Sequence, residues 1–183
     1  MAADLEQRFD AFVNGHRDRA LRIAWRLLGG DAAAAEDVAQ EAFVRAYRGL
    51  GGFRGEAKLA TWFDRILVNE VRRHQRWRAL RGARQAVDSE PDAVPDPNSA
   101  VRPDPALRRR IGAAIAALPR GQREAFVLVH LEGLSVAEAA SATGRAVGTM
   151  KSHLHRALAS LRTRLADLAP GGERSGATRE ETR

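Results

Sequence analysis

Apolar residues recur every three or four positions along most of the chain, and this spacing predicts helices. In the N-terminal part they stand at Phe9, Phe12, Val13, Ala20, Ile23, Ala24, Leu27 and Leu28. This run predicts one or two amphipathic helices that end at the glycine pair Gly29 and Gly30. Helical spacing continues beyond the pair, so the pattern predicts an all-α fold.

Two further helices are predicted between Asp31 and Arg81. Asp31 can cap a helix that runs to about Arg48. Its apolar side is formed by Ala35, Val38, Ala39, Ala42, Phe43 and Ala46. The opposite side is an acidic and amide surface in an otherwise basic protein, formed by Asp37, Gln40, Glu41, Val44 and Arg48. After the glycine-rich turn GLGGFRGEAK, a long helix is predicted from about Leu59 to Arg81.

The segment from Leu134 to Leu165 predicts two helices joined by a tight turn. Ser135 and Glu138 form a capping box, because each side chain can accept a backbone N–H of the other residue. Gly144 can supply the left-handed residue that ends the first helix. The second helix has one predicted buried stripe, formed by Val147, Met150, Leu154, Leu158, Leu161 and Leu165.

The other side of this second helix carries basic and hydroxylic residues. At roughly 100° per residue, its outward arc holds Thr149, Ser152 and Arg156, flanked by Lys151 and His155. No Asp or Glu occurs between Glu138 and Asp167. Such a helix fits the major groove of duplex DNA, where hydroxyl, Arg and Lys groups meet base edges and phosphates. The alternative is a solvated face on an ordinary helical hairpin.

A segment without an apolar period divides the chain into two parts. Five of the seven prolines lie in VDSEPDAVPDPNSAVRPDP, a composition typical of a flexible linker. We therefore predict an N-terminal helical domain at 1–82, a flexible acidic linker at 83–105 and a C-terminal helix-turn-helix domain at 106–168. The polar tail at 169–183 is predicted to be disordered.

The charge balance favours a nucleic-acid partner. The chain has 30 Lys and Arg against 23 Asp and Glu, a formal net charge of +7 at pH 7, and is therefore attracted to phosphate. Part of this excess is local, because the run between Glu70 and Asp88 contains no acid. Its arginines are Arg72, Arg73, Arg76, Arg78, Arg81 and Arg84.

Several classes of protein are disfavoured by what the sequence lacks. Without cysteine, the chain has no disulfide or thiolate metal site. It has no long apolar stretch, and the acids in MAADLEQRFD do not suit a signal peptide, so we expect no membrane insertion and a cytoplasmic location. The five histidines lack metal-ligand spacing, and no nucleophile elbow or phosphate loop is present. We therefore expect no enzyme activity, metal or cofactor.

Three segments, taken together, resemble a known family. AAEDVAQEAFVRAYRGL is followed by FRGEAKLATWFDRILVNEVRRHQRWR and then by LPRGQREAFVLVHLEGLSVAEAASATGRAVGTMKSHLHRALASLR. In this order they resemble the bacterial RNA polymerase sigma factors of the sigma-70 family, in the extracytoplasmic-function (ECF) group. The resemblance implies two small helical domains, one like sigma region 2 and one like the helix-turn-helix of region 4.

The resemblance also implies a protein that binds core RNA polymerase and directs it to promoter DNA. In the family, the acidic face of one helix binds the clamp coiled coil of the largest polymerase subunit, and the matching residues here are Asp37, Gln40 and Glu41. Carboxylates facing a basic coiled coil give charge-assisted contacts; the alternative is a solvated helix. A second polymerase contact, with the flap of the second-largest subunit, and an anti-sigma factor are further implied partners.

The DNA contacts implied by the resemblance fall on both domains. For the minus-ten promoter element the candidates are Arg54, Asn69, Arg72, Arg73 and Arg76, because capture of a flipped base needs cations along the backbone and an amide near the base. For the minus-thirty-five element they are Arg145, Thr149, Lys151, Ser152, His155 and Arg156. Trp62 and Phe63 are expected in the core, whereas Trp77 is compatible with either packing or DNA.

Three residues depart from the family pattern, and one of them, Ala39, replaces a bulkier apolar residue that is common before the Gln-Glu pair. His153 stands where the family often has Arg in the run KSRLHRA, which predicts a weaker or pH-dependent phosphate contact. Arg145 places a cation at the start of the recognition helix, against the helix dipole, so we expect phosphate rather than the fold to hold it.

The acidic linker has two interpretations. In the family this segment threads a basic channel of the polymerase, where carboxylates can mimic phosphate. Alternatively, the acids only keep the linker solvated. They are Asp88, Glu90, Asp92, Asp96 and Asp104.

Two other functions fit part of the sequence. A stand-alone helix-turn-helix transcription regulator accounts for the C-terminal domain but leaves the acidic helix face and the Arg-rich helix without a role. An RNA-binding or ribosome-associated protein would also be basic, but it rarely needs a capped recognition helix. A sigma factor accounts for all of these features.

Overall fold

Helices dominate the part of the chain that the computed structural model describes, which is residues 2–55, 58–82 and 104–168. They are α1 (Ala2–Leu27), α2 (Ala32–Gly49), α3 (Leu59–Gly82), α4 (Pro105–Ala116), α5 (Arg120–Phe126), α6 (Val136–Thr143) and α7 (Val147–Arg164). A π-helical turn, Val127–Leu131, continues α5, and short 3-10 turns follow α2 and α7. The predicted all-α fold is confirmed.

Helices α1, α2 and α3 form what we call the N-terminal unit. A single helix, α1, covers the run for which one or two were predicted, and it ends where Gly29 and Gly30 adopt φ of +76° and +100°. Asp31 then caps α2 by accepting the N–H of Ala34 at 3.0 Å. The buried side of α2 packs in a core whose other members include Ile23, Leu27, Phe63 and Leu67.

Helices α4 to α7 form the C-terminal unit. Asp104 caps α4 by accepting the N–H of Ala106 at 3.0 Å, and Pro105 occupies the first turn. Helix α4 therefore begins at the last residue of the predicted linker. Helix α5 packs against α7, and Leu128 and Met150 are fully buried. Each such side chain contributes roughly 1.5–3 kcal/mol to folding.

The two units share one hydrophobic core. The buried residues of α1 to α3 are continuous with those of the C-terminal unit, among them Ala125, Leu128, Ala139 and Met150. Polar contacts cross the same boundary, since Arg26 donates to Glu132 Oε1 at 2.5 Å and Arg123 Nη1 donates to the carbonyl of Leu27 at 3.0 Å. No sequence pattern predicted this packing, because a helix shows the same apolar stripe whichever unit covers it.

Some predictions differ from the structure or fall outside it. Val147, assigned to the buried stripe of α7, is 44% exposed because it is the first residue of the helix, and Ala157 is fully buried instead. Residues 83–103 of the predicted linker and the tail at 169–183 lie outside the described residues. The linker acids Asp88, Glu90, Asp92 and Asp96 lie there too. The domain boundaries remain predictions.

Candidate nucleic-acid interface

The two ends of α6 have the local structure that the sequence predicts. Ser135 Oγ accepts the N–H of Glu138 at 3.2 Å, and Glu138 Oε2 accepts the N–H of Ser135 at 3.0 Å, so the capping box is confirmed. Gly144 ends α6 with a left-handed φ of +63°. These contacts define both ends of α6, and the turn into α7 follows at Gly144.

The outward side of α7 is open to solvent. We call this surface the recognition face, and its residues, all exposed, are Thr149, Lys151, Ser152, His155 and Arg156. Four of them line a shallow depression of about 410 Å³. Because α7 contains no acid, the face offers only hydroxyl, imidazole and cationic groups. This set suits both phosphate and the acceptors on base edges.

Arg145 does not belong to this open face. Its Nη2 donates to Glu124 Oε2 at 3.0 Å, and its Nη1 lies 2.9 Å from His153 Nε2. We predicted that the fold does not hold Arg145. This prediction is wrong, because the guanidinium of Arg145 pairs with the buried carboxylate of Glu124. A DNA contact by Arg145 stays a prediction.

His153 has an unusual electrostatic environment. Burial lowers the pKa of its imidazole below the ordinary value, and the nearby guanidinium groups of Arg145 and Arg156 lower it further, while Glu124 acts in the opposite direction. In this structure the side chain serves the contact with Arg145. At the position where the family often has Arg, this chain therefore has a histidine, and its ring contacts Arg145 of the preceding loop.

Most residues predicted for the minus-ten element lie on an exposed surface of the N-terminal unit. Arg54 follows α2 in the loop, and the α3 residues Asn69, Arg73 and Arg76 are also exposed. A cavity of about 420 Å³ lies beside this loop, and its lining residues are Gly52, Phe53, Arg54, Thr61, Trp62, Arg65 and Ser141. Of the side chains that could serve DNA there, sequence reasoning missed Arg65, which stands one turn before Asn69.

Arg72 is placed differently from its neighbours on α3. Its Nε and Nη2 donate to the two carboxylate oxygens of Glu124 at 2.9 and 2.7 Å, and its Nη1 donates to the carbonyl of Thr143 at 2.9 Å. The side chain is only 15% exposed. The structure therefore brings Arg72 to the C-terminal unit rather than to solvent, and its predicted DNA contact needs a rearrangement.

The acidic surface of α2 is open at two of its three predicted contact residues. Asp37 and Gln40 are exposed, whereas Glu41 is half-buried and accepts from Arg45 Nε at 3.0 Å. Arg45 also lies 2.9 Å from the buried carboxylate of Glu70 on α3. Burial raises the pKa of Glu70, and the Arg45 guanidinium opposes that rise.

The aromatic residues divide between core and surface. Phe63 is fully buried, and Trp62 is partly buried against Phe53 with ring centroids 5.2 Å apart. Trp77 is 48% exposed, with the guanidinium of Arg81 stacked 3.9 Å from its ring centroid. The two central aromatics thus pack as predicted, and Trp77 lies at the surface.

Within residues 2–55, 58–82 and 104–168, no group of three or more His, Asp or Glu is placed to hold a metal ion. None of the helices described is both long and apolar enough to span a bilayer.

Both units match one family of known proteins. The sigma-70 region 2 model matches residues 12–81, and the sigma-70 region 4 model matches residues 108–161. The RNA polymerase sigma-H factor of Pseudomonas aeruginosa is 34% identical, over 83% of this chain and 83% of that protein. The chain therefore belongs to the sigma-70 family of RNA polymerase sigma factors, in the ECF group.

Other relatives of this sigma factor come from further bacterial species. The RNA polymerase sigma-E factor of Streptomyces avermitilis is 36% identical, over 86% of this chain and 84% of that protein. The ECF RNA polymerase sigma factor SigM of Mycobacterium tuberculosis is 34% identical, over 89% and 80%.

A similar solved structure is the sigma factor RpoE in complex with the anti-sigma factor NepR from Bartonella quintana. It has a TM-score of 0.74 and 25% identity, and the match covers 87% of this sigma factor and 98% of that chain. CnrH in complex with the cytosolic domain of CnrY gives a TM-score of 0.65 at 28% identity, over 90% and 91%.

Glu124 and Glu132 are among the buried carboxylates of the sigma factor that were not predicted from the sequence. Glu124 forms ion pairs with Arg72 and Arg145. Glu132 forms an ion pair with Arg26, and its Oε2 lies 3.6 Å from Arg19 Nε. Burial raises the pKa of Glu132, while Arg26 and Arg19 lower it. Both acids flank the apolar run AFVLVHL, which was the available sign, because an acid beside a buried run needs a basic partner.

Proposed function

We propose that this sigma factor binds core RNA polymerase through the exposed face of α2 and directs it to promoters through α3 and α7. The observation that carries the proposal is the recognition face, an exposed surface without acids on the helix that follows the Gly144 turn. The order of the two matched regions supports the same function, since one chain joins a candidate polymerase surface to two candidate DNA surfaces.

The recognition face is proposed to contact the minus-thirty-five element. Its hydroxyl groups can exchange hydrogen bonds with base edges, and its Lys and Arg can pair with phosphate or with guanine. Arg156 is the residue with both options, because its guanidinium is exposed at the middle of α7. Arg145 acts indirectly in this scheme, by fixing the start of α7 through Glu124.

The exposed residues of α3 and the preceding loop are proposed to contact the minus-ten element. The cavity beside Arg54 has an aromatic wall, formed by Phe53 and Trp62, and cationic groups at its edge. Stacking on an aromatic wall and pairing with cations are the interactions that hold an unpaired base and its phosphate. We propose that Asn69, Arg73 and Arg76 follow the adjoining strand.

The exposed part of α2 is proposed to bind the clamp coiled coil of the polymerase. Asp37 and Gln40 are free to make charge-assisted or amide contacts, and Glu41 contributes its half-exposed carboxylate.

The flap of the second-largest polymerase subunit is a further proposed contact of the C-terminal unit. An anti-sigma factor is a proposed regulatory partner, because a similar sigma factor forms such a complex. The proposed location is the cytoplasm, where core polymerase and promoters are found, and the proposed role is that of an initiation factor without enzyme activity.

Run-off transcription with core polymerase and genomic promoter fragments tests this function. The double substitution Gln40→Ala with Glu41→Ala should weaken core binding by about tenfold or more, equivalent to about 1.4 kcal/mol. Arg156→Ala should lower promoter-dependent transcripts while core affinity stays the same. Both effects are measured beside wild-type protein, by polymerase pull-down and transcript yield.

Matched controls separate these contacts from general damage. Asp18→Ala removes an exposed acid on α1, and Arg109→Ala removes an exposed arginine from α4; both should behave as wild type. Wild-type protein that neither joins core polymerase nor starts a transcript would contradict the function. Unchanged core affinity in the α2 double variant would remove only the α2 assignment.

A further inference from the structure

Gly121, in the first turn of α5, leaves space for a pair of polar side chains. A Cβ built at this position would lie 2.9 Å from both Cε1 and Nε2 of His153, and 3.1 Å from Nη1 of Arg145. Such distances are too short for a packed side chain, so any larger residue would displace the pair. Gly121 lies within a helix and has no positive φ, and alanine is intrinsically more favourable than glycine there. The need for space, rather than the backbone, therefore accounts for this glycine.

The two side chains beside Gly121 form a directional pair. Nη1 of Arg145 lies 2.9 Å from Nε2 of His153. A guanidinium can only donate hydrogen bonds, so Nε2 of His153 is the acceptor and the imidazole is neutral. Burial lowers the pKa of His153, and the guanidinium groups of Arg145 and Arg156 lower it further, which favours this neutral form. His153 therefore holds the side chain of Arg145 as a hydrogen-bond acceptor.

Arg145 connects α7 to α5 through its two terminal nitrogens. While Nη1 contacts His153 on α7, Nη2 donates to Glu124 Oε2 on α5 at 3.0 Å. Glu124 is buried, so its carboxylate cannot follow a displaced partner into solvent. Because a guanidinium is planar and rigid, the two contacts together define the separation of α5 and α7 at this point.

His153 lies behind the recognition face rather than on it. It stands three residues after Met150 and four residues before Ala157, which are both fully buried, so the three share one side of α7. Ser152 and Arg156, on the recognition face, are exposed. A shift of α7 at His153 would move these exposed residues as well, because they belong to the same rigid helix. Hydrogen bonds to base edges do not tolerate such a shift, since they depend on distance and angle.

We propose that Gly121, Arg145 and His153 are positioning residues for minus-thirty-five recognition, which set the placement of α7 on α5, and that His153 does not itself bind DNA. This proposal rests on the assignment of the recognition face in the proposed function. An arginine at position 153 would meet the guanidinium of Arg145 beside Gly121. Two cations would then compete for a space that holds one guanidinium and a neutral ring, and α7 would be displaced.

The variant His153→Arg separates positioning from DNA contact, because the two roles predict opposite effects. The full protein, bound to core polymerase, is titrated with the minus-thirty-five duplex of a promoter that yields run-off transcripts, and with the same duplex after its sequence is scrambled. If position 153 contacts phosphate, the added cation should tighten binding and steepen the salt dependence by about one unit. We expect instead that binding of the promoter duplex weakens by about tenfold, while binding of the scrambled duplex does not weaken.

Two further variants test how the pair acts. Arg145→Gln combined with His153→Arg again leaves one guanidinium beside Gly121, where it can pair with Glu124, so binding of the promoter duplex should return to within about threefold of wild type. His153→Gln should also stay within about threefold, because the glutamine carbonyl can accept from Arg145.

Gly121→Ala tests the space itself. The added methyl group must displace His153 or Arg145, so binding of the promoter duplex should weaken by about tenfold. Gly112→Ala, on α4, is the matched control, because a Cβ built there meets no atom within 4 Å. It should bind as wild type. Helical circular dichroism and core affinity are measured for every variant.

Tighter binding and a steeper salt dependence of His153→Arg would overturn the proposal, since position 153 would then lie at a phosphate. Wild-type affinity of His153→Arg, or failure of the added Arg145→Gln to restore binding, would overturn it too. If His153→Arg does not fold, Gly121→Ala decides, and wild-type affinity in that variant would contradict the positioning role. If wild-type protein binds promoter and scrambled duplex equally, the assignment of the recognition face fails instead.

Discussion

One buried carboxylate, Glu124, forms ion pairs with arginines from both units of the molecule. It is 2% exposed and accepts from Arg72 on one side and Arg145 on the other. Leaving such a group unpaired would cost several kcal/mol, whereas two guanidinium partners and their hydrogen bonds offset its desolvation. Residues classed from the sequence as DNA contacts can therefore have a structural duty as well.

His153 illustrates what could and could not be predicted at this scale. Its departure from the family's arginine was visible in the sequence and indicated a pH-dependent site. The partner was not visible, because Arg145 lies on the preceding loop and meets His153 only after α7 has been placed against α5. Spacing along one helix predicts faces, but it does not predict which long side chains from other segments reach them.

At the residue scale we predict that His153 makes stability depend on pH. Its pKa in the folded protein lies below the ordinary value of 6.5, so the unfolded chain binds the proton first as pH falls. The free energy of unfolding should therefore be fully retained above about pH 6.5 and decrease below it, until the folded-state pKa is passed. Urea unfolding midpoints at neutral and mildly acidic pH measure the change.

The variant His153→Gln supplies the comparison, because glutamine can accept a hydrogen bond from Arg145 but does not titrate. Its loss of stability between neutral and mildly acidic pH should be smaller than that of wild type. If both proteins lose the same amount, His153 has no part in the pH dependence.

At the element scale, local sequence signals were most successful where they involve backbone groups. Asp31, Ser135 and Gly144 were each assigned to a helix end and occupy it. The reason is that capping depends on residues three or four positions apart, which a sequence displays directly. The π-helical turn at Val127–Leu131 was not predicted, since an apolar run does not reveal the extra residue in one turn.

The capping box gives a prediction for a single element. Ser135→Ala should lower the free energy of unfolding by about 1 kcal/mol, because the N–H of Glu138 loses its acceptor and Glu138 loses the Ser135 hydroxyl. Thermal and urea unfolding measure this loss. Ser160→Ala, near the C-terminal end of α7, removes a hydroxyl that caps no helix and that accepts only a long contact from Arg164 Nε at 3.4 Å, so it should change stability much less. Equal losses of unfolding free energy in both variants would show that the capping box does not stabilise the protein.

At the scale of the whole molecule, the sequence indicated two helical units but not their association. Apolar stripes on α1, α3 and α6 predicted burial, and each stripe could have been satisfied within its own unit. The contacts that decide the matter are long-range pairs such as Arg26 with Glu132, separated by 106 positions. No local spacing along the sequence relates residues so far apart. The family resemblance predicted the function and the two helical domains, but it did not predict that the domains pack together.

The association predicts a measurable coupling. Arg26→Gln, Glu132→Gln and the double variant form a cycle whose interaction energy should be about 1–3 kcal/mol, because the pair is buried. The exposed pair Arg110 with Asp167, also 2.5 Å apart, is the matched reference and should give less than about 1 kcal/mol. Urea unfolding of all variants provides the energies. A coupling no larger than that of the surface pair would mean that the units do not associate in solution.

The open recognition face needs no rearrangement before it can meet duplex DNA. In the proposed function its cations hold intact duplex by phosphate attraction, whereas Arg72 of the minus-ten surface must first leave Glu124. The upstream landmark of a gene would then be met first, and melting would follow only after arrival there.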